Sequence, residues 1–221
     1  MDFSFVWNVF KDMIPALPTT LYITLVPFVF ALILALILTL ISYFKVPILD
    51  KLSKVFVSFF RATPFIGQLF LIYFGVPRII PILMDMGKIQ AFIVTMSLNT
   101  AAYVSEIFRG ALLSVDKGQI EAAESIGLRN LQVMKNIVIP QAIPVAIPSL
   151  VNNLIDTIKG SSLAFTIGII DITAVAKIDA GITYQYFEAY IALVILYWIV
   201  VLLLERAQAK LENKIRIECR G

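Results

Sequence analysis

The chain has 221 residues, is 60% apolar and only 15% charged, and has a mean hydropathy of +0.91. A soluble domain averages roughly 25% charged residues, so this composition predicts one polytopic, all-α membrane domain over 1–221. The net charge of +3 gives no basis for binding nucleic acid. With no histidine and one cysteine, Cys219 in the charged tail, neither a metal centre nor an internal disulfide is expected, and Cys219 is a spectator.

The chain opens with Asp2 and a long apolar run, not the basic segment and short core of a secretory signal, so its start reads as mature protein. A helix needs about 20 mostly apolar residues to cross the hydrocarbon. No charge falls between Asp12 and Lys45, and "FVFALILALILTLISYF" supplies the first span. Four more are expected at about 55–75, 89–112, 145–169 and 182–204. The tail "ERAQAKLENKIRIECRG" reads as an exposed amphipathic helix near the headgroups.

Five transmembrane helices put the termini on opposite sides, and Lys and Arg orient them. Lys45, Lys51, Lys54, Arg61, Arg109, Lys117, Arg129 and Lys135 share one set of ends with the tail cations. Lys11, Arg78, Lys88 and Lys177 hold the other. The crowded side is expected to be cytoplasmic, with the N-terminus outside and the C-terminus inside.

The cytoplasmic segment at about 114–141 is unusually polar for this chain. Asp116 with Gln119 forms a capping-box pattern that starts a short helix through 120–126. Gly127 stands where a left-handed turn needs no Cβ. Asn130 is expected to cap a second helix carrying Leu131, Met134 and Val138, and Pro140, Pro144 and Pro148 to bend the chain back into the membrane. A mere connector is usually only a few residues long. A capped helix–turn–helix of this length suggests a docking surface, though a solvated connector remains open.

Within the spans, Gln68, Asn99, Tyr103, Glu106, Asn152, Asn153, Asp156, Lys159, Ser161, Ser162 and Thr166 are polar. Such groups face a partner or a cavity, or join helices by hydrogen bonds. Asp156 and Lys159 are three apart on one helix face, able to contact a solute or to pair with each other. They adjoin Gly160-Ser161-Ser162, where a helix can open. Glu106 and Arg109 share the same spacing and are expected to pair within their helix.

Glu121-Ala122-Ala123, Gly127, Ile137 and Ile139-Pro140 together resemble the EAA loop of ABC importer permeases, with Ile139 where leucine is usual. "SFFRATPFIGQLFLIYFGVP" (58–77), "NTAAYVSEIFRGAL" (99–112) and "NNLIDTIKGSSLAFTIGIIDI" (152–172) resemble the polar amino acid permease family in the same order. This resemblance implies that the loop inserts into a separate ATPase, with Glu121, Ala122, Ala123, Gly127 and Pro140 as the coupling motif. It further implies two ATPase subunits carrying ATP and Mg2+, a second permease chain, identical or related, and an extracellular or periplasmic substrate-binding protein. The implied setting is a prokaryotic cell membrane and its lipid, and the implied cargo an amino acid. "GSSLAFTIGIID" (160–171) is similar to cystine-type members.

No G-x-x-x-x-G-K-[ST] phosphate loop occurs, and Gly87-Lys88 is followed by Ile89. No cofactor is expected in this chain, and any ATP chemistry belongs to a partner. Five spans enclose too thin a path alone, which favours a two-fold pair. The candidate path or gate comprises Gln68, Asn99, Tyr103, Asn153, Asp156, Lys159, Ser161 and Ser162. Two other readings remain, an ion-coupled secondary transporter using Asp156 and Lys159, and a membrane-embedded enzyme. The odd span count and the absence of a visible inverted repeat weigh against the first. The lack of any nucleophile–base pair weighs against the second.

Overall fold

The computed structural model describes residues 2–218, with side chains through residue 210. Its described residues contain helices and turns and no strand. Asp2 caps α1 (Phe3–Met13) by accepting the Ser4 and Phe5 N–H groups, and α1 runs through one 3₁₀ turn into α2 (Leu17–Tyr43). Then follow α3 (Leu49–Ala62), α4 (Phe65–Phe70), a π turn at Leu71–Gly75 and α5 (Val76–Ile79). The second half comprises α6 (Lys88–Leu113), α7 (Lys117–Ser125), α8 (Asn130–Val133), α9 (Ile139–Gly160), α10 (Ile172–Thr183) and α11 (Tyr186–Glu218).

The most extensive helix contact joins α2 to α6. It is built from small residues: Ala31 and Ala35 on α2 and Ala101 on α6 have no exposed surface, and Val104 packs beside them. Thr39 extends the α2 row by one more turn, and its hydroxyl donates to the carbonyls of Ala35 (2.7 Å) and Ser105 (3.3 Å). Small side chains let helix backbones approach closely, where dispersion and interhelical hydrogen bonds replace a hydrophobic drive that lipid cannot supply. A second cluster, with Val9, Met13, Ala176, Ala180, Ala189 and Leu196, ties α1, α10 and α11 together.

Four helical stretches are long and apolar enough to cross a membrane, and a fifth crossing exists if a bent pair is counted as one. That pair is the predicted second span. Instead of one straight helix over 55–75, α3 and the run from Phe65 to Ile79 meet at 111°. The cause is local. Pro64 disfavours helical backbone at the preceding residue, and Thr63 is extended at φ −110°, ψ 147°. The break frees backbone carbonyls that lie partly or fully buried in the protein and need donors there, and Gln68 answers them. Its Nε2 donates to the carbonyls of Phe60 (3.0 Å) and Thr63 (3.1 Å) and to the Thr63 hydroxyl (2.7 Å). Asn99, across on α6, donates to the Gln68 Oε1 (2.9 Å) and to the Phe60 carbonyl (3.2 Å). Gln68 and Asn99 are therefore the staple of the bend, with Gln68 only 3% exposed, rather than lining of an open path.

Three further boundaries differ from expectation. Pro140, Pro144 and Pro148 lie within one helical run instead of turning the chain, and that run extends from 130 to 167. A π turn at Met134–Val138 precedes Pro140, and its wider ring of backbone accommodates a residue that cannot donate. Ile182 belongs to α10 and not to the fifth span, because Tyr184 turns the chain at φ +60° before α11 begins. The tail, expected as an exposed amphipathic helix, is helical through Glu218 as a direct continuation of α11. Cys219 lies outside the described residues.

The predicted loosening at Gly160-Ser161-Ser162 is present. α9 gives way there to a 3₁₀ turn, Ser161–Ile167, ended by Gly168 at φ +78°. Lys88 donates to the Gly168 carbonyl across the bundle.

Asp171 then starts α10, accepting the Ala174 N–H at 2.9 Å through Oδ1, while Oδ2 has no partner among the described residues. The side chain is fully buried. Burial pushes its carboxyl above the usual carboxylate range, against the hydrogen bonds that pull it down. The folded chain therefore favours protonated Asp171. Its contribution to stability is complete below the unfolded value, about 3.9, and is lost as pH rises through the higher folded value. At neutral pH the ionised group is a net cost. Asp171→Asn keeps the capping oxygen without the charge. In thermal unfolding of the detergent-purified chain, this variant is expected to melt above wild type at pH 7–8, with the gap closing toward pH 4. A pH-independent gap would remove the buried carboxylate as its cause.

Candidate coupling knob and polar cleft

The polar segment folds as a compact knob. Asp116 accepts the Gln119 N–H at 3.3 Å, as its spacing predicts. The helix it starts is Lys117–Ser125, slightly ahead of the predicted 120–126. At its other end Gly127 donates to the Glu124 carbonyl (2.9 Å) and Leu128 to the Ala123 carbonyl (3.2 Å), the paired closure of a Schellman motif. Gly127 stands at φ +85°, with open space where a Cβ would project, so backbone conformation alone calls for glycine there.

The start of the second helix is shifted by one residue from expectation. Arg129 occupies the capping position, and its N–H is taken by the Gln132 side chain at 2.9 Å, leaving Asn130 as the first helical residue. Gln141 then donates to Gln119 at 2.6 Å, tying the knob to α9.

The coupling candidates do not share one face. Glu121 and Ala122 are exposed, as are Gly127 and Pro140. Ala123 is buried against Val115, Val133, Met134 and Val138, inside the knob. Of the two alanines only Ala122 faces outward, because α7 buries one stripe that holds the knob to the bundle. Two large apolar side chains, Ile126 and Leu131, stand out at 79% and 71% exposure on the same knob. Leu131, Met134 and Val138 follow one another at helical spacing, yet Leu131 is among the most exposed while the other two are buried.

Of the path candidates, Tyr103, Asn153 and Asp156 meet in one open cleft of about 380 Å³, together with Asn152, Arg61 and Glu106. It lies where the end of α3, the last turns of α6 and the middle of α9 converge. Glu106 is bound at 2.7 Å by Arg109 on its own helix, as expected, and also approached at 3.5 Å by Arg61 from α3. Arg61 in turn lies 5.8 Å from the centre of the Tyr103 ring. Asn153 keeps a buried Oδ1 without a partner among the described residues, beside the cleft. Asp156 and Lys159 pair at 2.7 Å and remain exposed on the single chain, with side chains 68% and 57% accessible. Ser161 is fully buried and donates to Ile158, so it shapes the end of α9 instead of lining the cleft. Ser162 is half-buried beside it, and Thr166 donates to the Leu163 carbonyl.

Sequence reasoning gave Arg61 no place in this cleft and favoured an intrahelical partner for Glu106 over a cavity contact. The signal available was weak, since both lie near span ends where charges are common. Their meeting depends on the bend after α3.

A β-branched residue at Gly127 has to hold left-handed backbone, which costs on the order of 1–2 kcal/mol. Gly127→Val is therefore expected to speed amide hydrogen exchange across 117–129 while protection of α2 and α6 is unchanged, and Gly127→Asn to keep most of it. Equal protection in Gly127→Val and wild type would remove the turn as a constraint.

Residues 28–217 match the family model described as "Binding-protein-dependent transport system inner membrane component". The chain is 41% identical to the probable amino-acid ABC transporter permease protein PatM of Vibrio harveyi, over 97% of this chain and 96% of that one. It is 43% identical to the probable amino-acid permease protein YxeN of Bacillus subtilis, over 95% and 97%. It is 39% identical to the L-cystine transport system permease protein TcyL of the same organism, over 93% and 89%. Among solved structures, an amino acid ABC transporter crystallised with histidines superposes with TM-score 0.89 at 30% identity, covering 97% of this chain and 99% of that one. The inward-facing MetNI methionine ABC transporter superposes at 0.75 with 22% identity, which shows the fold alone. Family match, relatives and fold agree: the chain belongs to the inner membrane components of binding-protein-dependent transport systems and is a permease subunit of the ABC type.

Proposed function

We propose that this chain is the permease of an ATP-driven importer for a polar amino acid. The observation that carries the reading is the knob: a rigidly closed short helix that presents Glu121 and Ala122 outward and is tied through Gln141 to α9. Such an element can transmit a push from a separate ATPase to the helix that carries Asp156 and Lys159. Glu121 offers a charge for polar contact, Ala122 permits close approach, and Ile126 and Leu131 offer apolar area to a partner.

In this reading two ATPase subunits supply ATP and Mg2+, and a second permease chain completes the path around a two-fold axis. An extracellular or periplasmic binding protein delivers the cargo. The setting is a prokaryotic cell membrane, with the Lys- and Arg-rich ends in the cytoplasm, the N-terminus outside and the C-terminus inside. The PatM and YxeN names support an amino acid. The narrower cystine reading rests on TcyL, at lower identity than those two.

The test is functional reconstitution with the ATPase and a panel of loaded binding proteins. ATP hydrolysis is expected to rise with the binding protein of one polar amino acid, and Gly127→Val to abolish that rise while the chain stays in the membrane. A permease that transports its amino acid without any ATPase would end this reading in favour of an ion-coupled carrier.

The cleft supplies what a zwitterion needs in transit, carboxylates, guanidinium and amide groups in one place. In this reading the Asp156–Lys159 pair acts as a clamp on the path rather than as a cargo contact, since each charge already has its partner at 2.7 Å. Asp156→Asn and Lys159→Met are each expected to slow transport, and the double variant to recover much of the loss because no charge is left unpaired. A double variant no faster than the slower single one would assign the charges to the cargo instead.

A further inference from the structure

Apart from Arg61, which also borders the polar cleft, the surface of α3 divides into rows whose pattern the transport reading does not use. Ile48, at its start, then Leu52, Val55 and Phe59 follow at helical spacing along one face, exposed by 73%, 58%, 67% and 45%. Lys51, Lys54, Ser58 and Arg61 form a second exposed row, about a quarter turn round the axis. The third face, with Ser53 and Phe60, is buried toward α2 and α6.

Beside the cationic row opens a cavity of about 290 Å³, lined among others by Ser53, Lys54, Ser58 and Arg61 of α3 and by Glu106 and Arg109 of α6. Its charge balance is uneven. Lys54 is matched by Asp50 at 2.6 Å. Arg61 and Arg109 share the single carboxylate of Glu106, and Arg61 reaches it only at 3.5 Å. The cavity therefore carries surplus positive charge beside an exposed apolar row.

We propose that α3 is an in-plane interfacial helix whose cationic cavity holds the phosphate of an anionic phospholipid, with Ile48, Leu52, Val55 and Phe59 in the acyl region. This rests on the reading that the Lys-rich ends are cytoplasmic, the leaflet that carries anionic lipid. An apolar row flanked by Lys and Arg is the composition of helices that lie in the headgroup boundary. Basic pockets between helices on the cytoplasmic side bind anionic headgroups. The 111° bend turns α3 away from the line of the crossing segment that follows it. A second copy of the chain fits the apolar row less well, because a two-fold contact centred on α3 sets the cationic row against itself. Free phosphate has the same headgroup chemistry, but it gives the apolar row no occupant.

The experiment places a tryptophan on the apolar row by Val55→Trp, with Trp7→Phe and Trp198→Phe, in the full chain reconstituted in nanodiscs. Phosphatidylglycerol or phosphatidylcholine with brominated acyl chains is added at low mole fraction to otherwise unlabelled phosphatidylcholine. Brominated phosphatidylglycerol is expected to quench the tryptophan more strongly than brominated phosphatidylcholine. Arg61→Gln with Arg109→Gln is expected to lower that preference by roughly tenfold, and inorganic phosphate in excess to leave it unchanged. On the unaltered chain, native mass spectrometry is expected to find phosphatidylglycerol retained over phosphatidylcholine.

Equal quenching by both lipids would overturn the headgroup site. Loss of the preference on adding phosphate would make it a site for the free anion. An unquenched tryptophan, with a disulfide joining two Val55→Cys chains, would assign the row to a second copy. Orientation is checked separately in a Cys219→Ser background, using a membrane-impermeant thiol reagent on intact cells. Asp179→Cys is expected to label and Gln119→Cys not to. Labelling at Gln119→Cys would overturn the leaflet assignment while leaving the quenching result to decide the lipid contact.

Discussion

Close packing of α2 against α6 is the contact on which the rest of the bundle is hung. Lipid is as apolar as leucine, so two greasy helices gain nothing merely by meeting. Ala31, Ala35 and Thr39 on one helix face Ala101 and Ser105 on the other, and the absence of bulk brings the backbones within reach of a side-chain-to-carbonyl hydrogen bond. α3 and α9 both pack on α6, so the polar cleft between them is placed by this seam.

The bend after α3 illustrates how strictly burial polices backbone polarity. At an exposed site, a break at Thr63-Pro64 would be closed by solvent. Here Gln68 and Asn99 supply the missing donors, and Asn99 makes the bend a property of two helices instead of one. The same bend carries Arg61 to Glu106 and Tyr103. A polar residue in a span can thus hold backbone carbonyls without touching cargo, as Gln68 and Asn99 do at the bend.

The knob follows a different logic because it stands outside the hydrocarbon. Its capping carboxylate, its left-handed glycine and its reciprocal Gln132 bond are local devices, each legible within a few residues of chain. What could not be read there was which face turns inward. Ala123 is buried and Ala122 exposed because Val115, Val133 and Val138, from either side of the turn, close over one stripe of α7.

The sequence by itself determined the features that depend on neighbours in the chain. These are the apolar spans, the charge bias at their ends, the Asp116 cap, the Gly127 turn and the helical spacing that sets Asp156 beside Lys159 and Glu106 beside Arg109. Each is a short-range consequence of side-chain type at fixed helical spacing, so no fold is needed to see it. The EAA pattern carried the family on the same local footing. Only the tertiary structure decided that the second span is bent, that the prolines after Ile139 continue a helix, that Gln68 and Asn99 staple a break, and that Arg61 shares a cleft with Asp156. Those outcomes turn on which helices meet, and at what distance. In a membrane that is decided by small residues and by carbonyls seeking donors across helices, interactions whose partners lie far apart in the chain.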